Sequence, residues 1–419
     1  MKPTNSASAL AAAVLLGVAG WTALAGSAAP PPRPAFPERA VAHGALLAAI
    51  GGCEGCHTSE GGAPFAGGRA IGTPFGAVET TNITPDAATG IGRWSPAAFA
   101  GAMRQGVRLD GENLYPAFPY DHFTHASDAD IAGLYAYLMT RRPVVARAPS
   151  NHLAPPFDSR AAIGVWKARY FQPGPFVPDG AHDAEWNRGA YLVESLGHCG
   201  ACHTPHDAQG AEERGRSLDG GWAEGWYAPP LNGSTPAPMS WTVEDLDAYL
   251  RTGLADRHAA AAGPMGSVTH ELARASPADL RAIAVYLAQR MAPAAGSPPP
   301  PPDHANAAAR AHPAGAVVFA GACATCHEAG AGMMMEGRPP LQLGTPLDED
   351  NPRDVIAIIL RGLKPPVGPA GPAMPAFAGA LTDARLTDLV AYLRARYSDR
   401  PSWRDLPKAV AEARKGPSG

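Results

Sequence analysis

A cysteine, a second cysteine three positions on, and a histidine directly after it put two soft thiols and one imidazole on a single short stretch of backbone. The arrangement occurs three times, as Cys53-Glu54-Gly55-Cys56-His57, Cys199-Gly200-Ala201-Cys202-His203 and Cys323-Ala324-Thr325-Cys326-His327, and it uses all six cysteines of the 419-residue chain. Two thiols at that spacing can each form a thioether to a haem vinyl group, and the neighbouring histidine then sits beneath the iron as its proximal ligand. The pattern predicts three covalent haem c groups, on Cys53/Cys56, Cys199/Cys202 and Cys323/Cys326, with His57, His203 and His327 as proximal iron ligands.

Other uses of these residues fit less well. A structural zinc site wants its Cys and His pairs close together, whereas these pairs lie more than a hundred residues apart. A redox dithiol of the thioredoxin kind needs its C-x-x-C beside a strand and helix unit, which nothing here repeats. Structural disulfides are poorly served by C-x-x-C spacing and leave the trailing histidines unexplained.

Haem c is attached outside the bacterial cytoplasm, so an export signal is expected, and residues 1–29 supply one. Lys2 gives a weakly positive start, Ala9 to Ala25 is apolar, and Ala23-Leu24-Ala25 offers a cleavage site. The segment is also long enough to serve as an N-terminal anchor if uncleaved. A net charge of -4 without a basic block argues against nucleic acid.

The elements that must position the three motifs repeat with them, about every hundred residues. A short helix carrying Gly44, Gly189 or Gly315 precedes each motif, and a capped helix follows it at Ser95 to Gln105, Thr242 to Arg251 and Asn351 to Leu360, each with a glycine close behind (Gly106, Gly253, Gly362). A last helix carries apolar residues at i, i+3, i+4 and i+7: Ile131, Leu134, Tyr135, Leu138; Leu280, Ile283, Ala284, Leu287; Leu386, Leu389, Val390, Leu393. Ser127, Ser276 and Thr382 are its expected N-caps. These stripes read as core, stapled by the covalent haem. The predicted organisation is a first domain at 37–148, an aromatic-rich strap at 149–182, a second domain at 183–292, a Pro/Ala-rich linker at 293–313, a third domain at 314–400 and a tail at 401–419. The strap, with Phe157, Trp166, Tyr170, Phe171 and Phe176, is expected to lie on a surface, its own or a partner's. In the tail, Trp403, Leu406, Val410 and Ala413 form either a membrane-contacting face or part of a solvated end.

The sixth iron ligand sets redox character, because Met/His ligation raises the potential. In the third repeat Pro372-Ala373-Met374-Pro375 makes Met374 the expected distal ligand, ahead of Met333, Met334 and Met335, and in the second Gly263-Pro264-Met265 gives Met265 that role. Methionines also fill cores, but a Pro-flanked loop methionine at a repeated position favours ligation. The first repeat departs, with Pro116-Ala117-Phe118-Pro119 placing a phenylalanine in the slot. Either that iron is five-coordinate or a neighbour substitutes: His122 first, with His125 and Met103 also near.

The chain resembles the tri-haem cytochrome c subunits of periplasmic, membrane-bound dehydrogenases. The resemblance covers almost the whole chain after the signal and is carried by Thr80-Thr81-Asn82-Ile83-Thr84-Pro85-Asp86, Gly90-Ile91-Gly92-Arg93-Trp94-Ser95, Leu114-Tyr115-Pro116-Ala117-Phe118-Pro119-Tyr120, Tyr227-Ala228-Pro229-Pro230-Leu231 and the Gly-Pro-Met and Pro-Ala-Met-Pro loops. It implies an all-α chain of three consecutive class I cytochrome c domains that relays electrons from a catalytic subunit to ubiquinone at the outer face of the inner membrane. Phe118 followed by Asp121-His122-Phe123-Thr124 is similar to the branch serving molybdopterin dehydrogenases of the xanthine oxidase type, such as aldehyde dehydrogenases and N-heterocycle hydroxylases, with an iron–sulfur subunit. Subunits of quinoprotein (PQQ) alcohol dehydrogenases or flavin-dependent (FAD) sugar and gluconate dehydrogenases usually have methionine there. A stand-alone carrier, and a peroxidase at a five-coordinate first haem, are the remaining readings.

Overall fold

The structure, a computed structural model, describes residues 35–292, 301–328, 340–364 and 373–416. The signal segment, residues 293–300 of the expected linker, Met333 to Met335, Pro372 and the last three residues of the tail lie outside the described residues.

Each repeat is built on two helices that cross at a glycine. Glu38–Ile50 packs on Asp128–Met139, Ala184–Glu194 on Pro277–Arg290, and Pro313–Ala322 on Asp383–Tyr397. A Cβ on Gly44 would stand 1.9 Å from the Gly133 carbonyl oxygen, one on Gly189 2.0 Å from that of Ala282, and one on Gly315 2.1 Å from that of Asp388. Only a residue without a side chain lets two backbones approach so closely. The apolar stripes of the second helix in each pair are buried throughout, as the helical period requires. Ser127 Oγ accepts the Asp130 amide and Thr382 Oγ1 the Arg385 amide, while Ser276 precedes a helix opened by Pro277 and makes no side-chain cap bond.

The third helix of each repeat runs over Pro96–Gln105, Val243–Thr252 and Arg353–Arg361. Ser95 and Thr242 cap the first two; in the third Asn351 Oδ1 takes the Arg353 amide at 3.2 Å. Gly106, Gly253 and Gly362 end these helices with φ of 57°, 75° and 71°, a conformation in which L side chains are strained.

The chain is mainly helical, not all-α. Ala70–Thr73, Gly76–Glu79 and His152–Leu153 form one antiparallel sheet, and Gly221–Ala223 pairs with Trp226–Ala228 in a hairpin. Its two-residue turn, Glu224 and Gly225, has φ of 48° and 78°, positive at both places as the tightest hairpins demand. Strands of two to four residues are too short to show a period-2 pattern in sequence.

The first and second repeats share one continuous apolar core, from Leu47 to Met291, and the third has its own, from Ala308 to Ala413. The strap crosses the first two repeats. Its strand His152–Leu153 extends the first sheet, its helix Arg160–Tyr170 buries Trp166 against Tyr120 and Ala211, and the Trp166 indole donates to Gln209 O at 3.0 Å.

The tail does not offer an apolar face to a membrane. Helix Leu406–Arg414 turns Leu406, Val410 and Ala413 into the third core, Val410 completely buried, and Trp403 Nε1 donates to Glu349 O at 2.9 Å. Its amphipathic pattern is satisfied inside its own repeat. Among the described residues no helix is long and apolar enough to cross a membrane.

Candidate haem-binding sites

Each C-x-x-C-H motif closes a single helical turn. His57 N donates to Cys53 O at 3.0 Å, His203 N to Cys199 O at 3.0 Å and His327 N to Cys323 O at 2.9 Å. Such a turn puts the two cysteines of a pair on one side, three residues apart, with the histidine one step further round. All six thiols are half-buried and none is in a disulfide. Burial pushes Cys53 and Cys199 up to about 12, so in the absence of a bound group these thiols are protonated.

Whether the site fits haem can be tested on the histidine rings. His57 Nδ1 lies 2.6 Å from Thr81 O, and His203 Nδ1 lies 2.6 Å from Pro229 O. Desolvation lowers the pKa of both rings, so each is neutral. A carbonyl only accepts, which places the ring hydrogen on Nδ1 and leaves the Nε2 lone pair for a metal. This is the orientation a proximal ligand needs, and the residues fit the group.

The two carbonyls lie in the segments Thr80 to Asp86 and Tyr227 to Leu231, whose sequences look unremarkable for catalysis. Asn82 fixes the first: its amide donates to Thr89 Oγ1 at 3.0 Å and Val144 O at 2.7 Å, while its oxygen accepts Thr84 N at 2.9 Å. In the third repeat, Glu328, next to His327, is held by Arg396 Nη1 and Nη2 at 3.0 and 2.8 Å, and Arg396 also grips Asp303.

On the distal side, Met265 is half-buried against the shared core near the start of helix Pro264–Leu272, and Met374 is half-buried against the third core. Their backbone positions differ. After the C-cap glycine each repeat forms a bridged pair, Val107 with Asn113, Leu254 with Ala260 and Leu363 with Met374. The pairs enclose residues 108–112, 255–259 and 364–373, so the third loop is twice as long. Phe118 and Met265 therefore match in backbone register, whereas Met374 sits on the bridge itself.

His122 is not placed as a distal ligand. Its Nε2 lies 2.6 Å from Glu212 Oε1 and its Nδ1 3.1 Å from Glu194 O, both in the second repeat. Its ring lies against the second attachment turn, where a Cβ on Gly200 would be 2.9 Å from His122 Cε1. Burial opposes the charge, but the Glu212 carboxylate outweighs it and lifts His122 to about 9. Both ring nitrogens of His122 are thus taken up by acceptors of the second repeat. His125 Nδ1 lies 2.7 Å from Gly174 O, the same backbone contact that leaves Nε2 open in His57 and His203, and Met103 is buried in the shared core.

Sequence reasoning missed the charge pairs that tie the first attachment turn to the second repeat, among them Arg274 Nη1 to Glu54 Oε2 at 2.9 Å. Arg69 Nη2 pairs with both carboxylate oxygens of Glu224 at 2.8 and 2.7 Å, and its Nη1 reaches Gly55 O at 3.4 Å. One charge pair 155 residues apart in sequence leaves no local signal.

Against known proteins, the model of the cbb3-type cytochrome c oxidase subunit III family matches residues 310–393. The chain is 43% identical over 95% of its length to a nicotinate dehydrogenase subunit of Pseudomonas putida, of which it spans only 34%. It is 36% identical to the fructose dehydrogenase cytochrome subunit of Gluconobacter japonicus, covering 88% of this chain and 82% of that one. It is 35% identical to the gluconate 2-dehydrogenase cytochrome c subunit of Pantoea cypripedii, over 96% of this chain and 94% of that one.

Proposed function

The chain belongs to the family of c-type cytochrome subunits of dehydrogenase complexes, and on that premise we propose that it is a tri-haem relay, built as three consecutive cytochrome c domains, that carries electrons from a catalytic subunit to ubiquinone at the periplasmic face of the inner membrane. As a member of that family it is an electron-transfer component, not the catalytic subunit. The single observation that carries the count of three is the recurrence of the same attachment turn at Cys53, Cys199 and Cys323. When bound, haem c supplies a one-electron couple at each site.

The residues of the chain do the rest. The cysteine pairs tether, His57 and His203 are held in the ligating tautomer by backbone carbonyls, and the shared core fixes the first two sites relative to each other. Met265 and Met374 are the distal ligands we assign to the second and third sites, and their apolar settings favour high potentials. The first site, with Phe118 in the slot, is assigned no distal ligand.

The favoured partner is a molybdopterin dehydrogenase with an iron–sulfur subunit, acting on an aldehyde or an N-heterocycle. The identity with the nicotinate dehydrogenase chain and the Phe118 departure both support it. A PQQ or FAD dehydrogenase partner is supported by the relatives that span the chain end to end. Intact mass and pyridine haemochrome spectra of the purified chain should give three porphyrins, and the catalytic subunit that copurifies should carry molybdenum. Fewer than three porphyrins ends the relay proposal; a copurifying quinoprotein or flavoprotein redirects the partner assignment.

A further inference from the structure

The hairpin Gly221–Ala228 belongs to the second repeat, yet it is gripped from all three. At its start Gly221 lies so close to the second attachment turn that a Cβ there would be 2.4 Å from Thr204 O and 2.5 Å from Cys202 O. At its tip Glu224 receives Arg69 of the first repeat, whose other nitrogen reaches Gly55 O and, at 4.0 Å, Cys56 Sγ. Helix Arg353–Arg361 of the third repeat also docks on it. Arg353 Nε donates to Gly225 O at 2.5 Å, Asp354 Oδ1 accepts the Tyr227 amide at 3.0 Å, and the guanidinium groups of Arg353 and Arg361 lie over the rings of Trp222 and Trp226 at 5.8 and 5.4 Å.

Two residues beyond Tyr227 is Pro229, the residue whose carbonyl holds His203. The path from Asp354 to the ring is therefore one hydrogen bond, two peptide units and one more hydrogen bond. We propose that this hairpin is a common seat for the second haem's proximal histidine, and that Asp354 of the third repeat and the Arg69–Glu224 pair of the first are positioning residues that set the potential of that site from outside its own repeat. The inference rests on the haem reading above and deepens it.

The physical basis is the second hydrogen bond of a ligating imidazole. A carbonyl held firmly at Nδ1 makes the ring a better electron donor and favours the oxidised metal, and a carbonyl free to drift gives that up. Asp354 is buried and its carboxylate takes the Tyr227 amide, so removing it frees the strand that leads into Pro229. Glu224 is positioned for the same effect from the other end, because it occupies the tight two-residue turn, with positive φ at both places, that joins the two strands.

The test is a spectroelectrochemical titration of the full chain as purified, with intact mass and thermal melting on the same samples. Asp354→Ala should raise a single one of the three midpoint potentials, Asp354→Asn, which keeps an acceptor, should restore most of the shift, and Glu224→Gln should move the same couple in the same direction. Shifts in two different couples, or melting changes with all three potentials unmoved, would overturn the common seat while leaving the haem reading intact. Should Asp354→Ala fail to fold, the half-exposed Glu224→Gln variant carries the test alone, and no shift in it overturns the proposal. Fewer than three porphyrins in the parent chain defeats both readings, and the mass reports that separately.

Discussion

The first two repeats and the third are assembled on opposite principles. Repeats one and two run into each other through one apolar core, with Asp130 pinned at the seam by His43 Nε2 at 2.6 Å and by the Tyr191 hydroxyl, which donates to its other oxygen at 2.6 Å. The third keeps a separate core and meets the second repeat through Arg353, Asp354 and Arg361 on one hairpin. An apolar seam depends less on the protonation of any one group than a polar dock does, even though the pairs His122–Glu212 and Arg69–Glu224 also join these two repeats. A polar dock is orientationally specific but depends on the protonation and pairing of a few groups. The pair of sites in the shared core is thus built as a rigid unit, and the third is attached to it by contacts that can be tuned one residue at a time.

The sharpest way to break this comparison is at the helix crossings. Gly189→Ala forces a methyl into the Ala282 carbonyl and Gly315→Ala into that of Asp388, overpacking that costs about 3 kcal/mol or more. Hydrogen exchange read by mass spectrometry should show Gly189→Ala loosening both of the first two repeats together, and Gly315→Ala loosening the third alone. If Gly189→Ala leaves Glu38–Ile50 as protected as in the parent, the shared core is not one cooperative unit.

A truncation before Leu406 comes next. It strips Leu406 and Val410 from the third core, worth about 3 kcal/mol in lost burial, and should lower only the melting transition of the third repeat. Loss of membrane attachment with an unchanged melt would reinstate the lipid-facing tail. Arg396→Met is expected to cost less, about 2 kcal/mol. The guanidinium is buried, but its partners Asp303 and Glu328 are more than a third exposed and can be rehydrated. Differential scanning calorimetry should place that loss in the third repeat too.

The haem motifs, the three crossing glycines, the apolar stripes and the caps other than Ser276 are legible in the sequence, because each is a local pattern tied to a fixed geometry. The length of the third distal loop is not. Phe118, Met265 and Met374 each stand twelve residues after their C-cap glycine, so the sequence aligns them, and only the backbone pairing shows that the third bridge closes five residues later, at Met374 itself. His122 misleads for a related reason. A histidine next to an empty ligand slot looks like a substitute ligand, and nothing local reveals that Glu212, ninety residues on, has already claimed it. The tail fails differently: an amphipathic helix announces an apolar face, and the period cannot say whether lipid or the parent core receives it.

The smallest expected effect separates the polar dock from the apolar seam by pH. Glu349 is 2% exposed and neither carboxylate oxygen has a hydrogen-bond partner among the described residues; burial, with Asp354 adding to it, pushes its pKa up to about 9, and burial raises Asp354 to about 6. A free glutamate titrates near 4.5, so between 4.5 and about 9 the folded chain keeps a proton the unfolded chain has released. Stability of the third repeat must then fall as pH rises through that window, with Asp354 contributing the same sign at its lower end. Glu349→Gln keeps the shape and removes the titration. It should flatten the pH dependence of the third transition and raise its melting temperature at pH 8 by about 5 °C, while the transition of the first two repeats stays where it is. A lower melting temperature at pH 8 in that variant would mean the carboxylate is ionised and paired, and that the dock is held by charge instead of by a buried neutral acid.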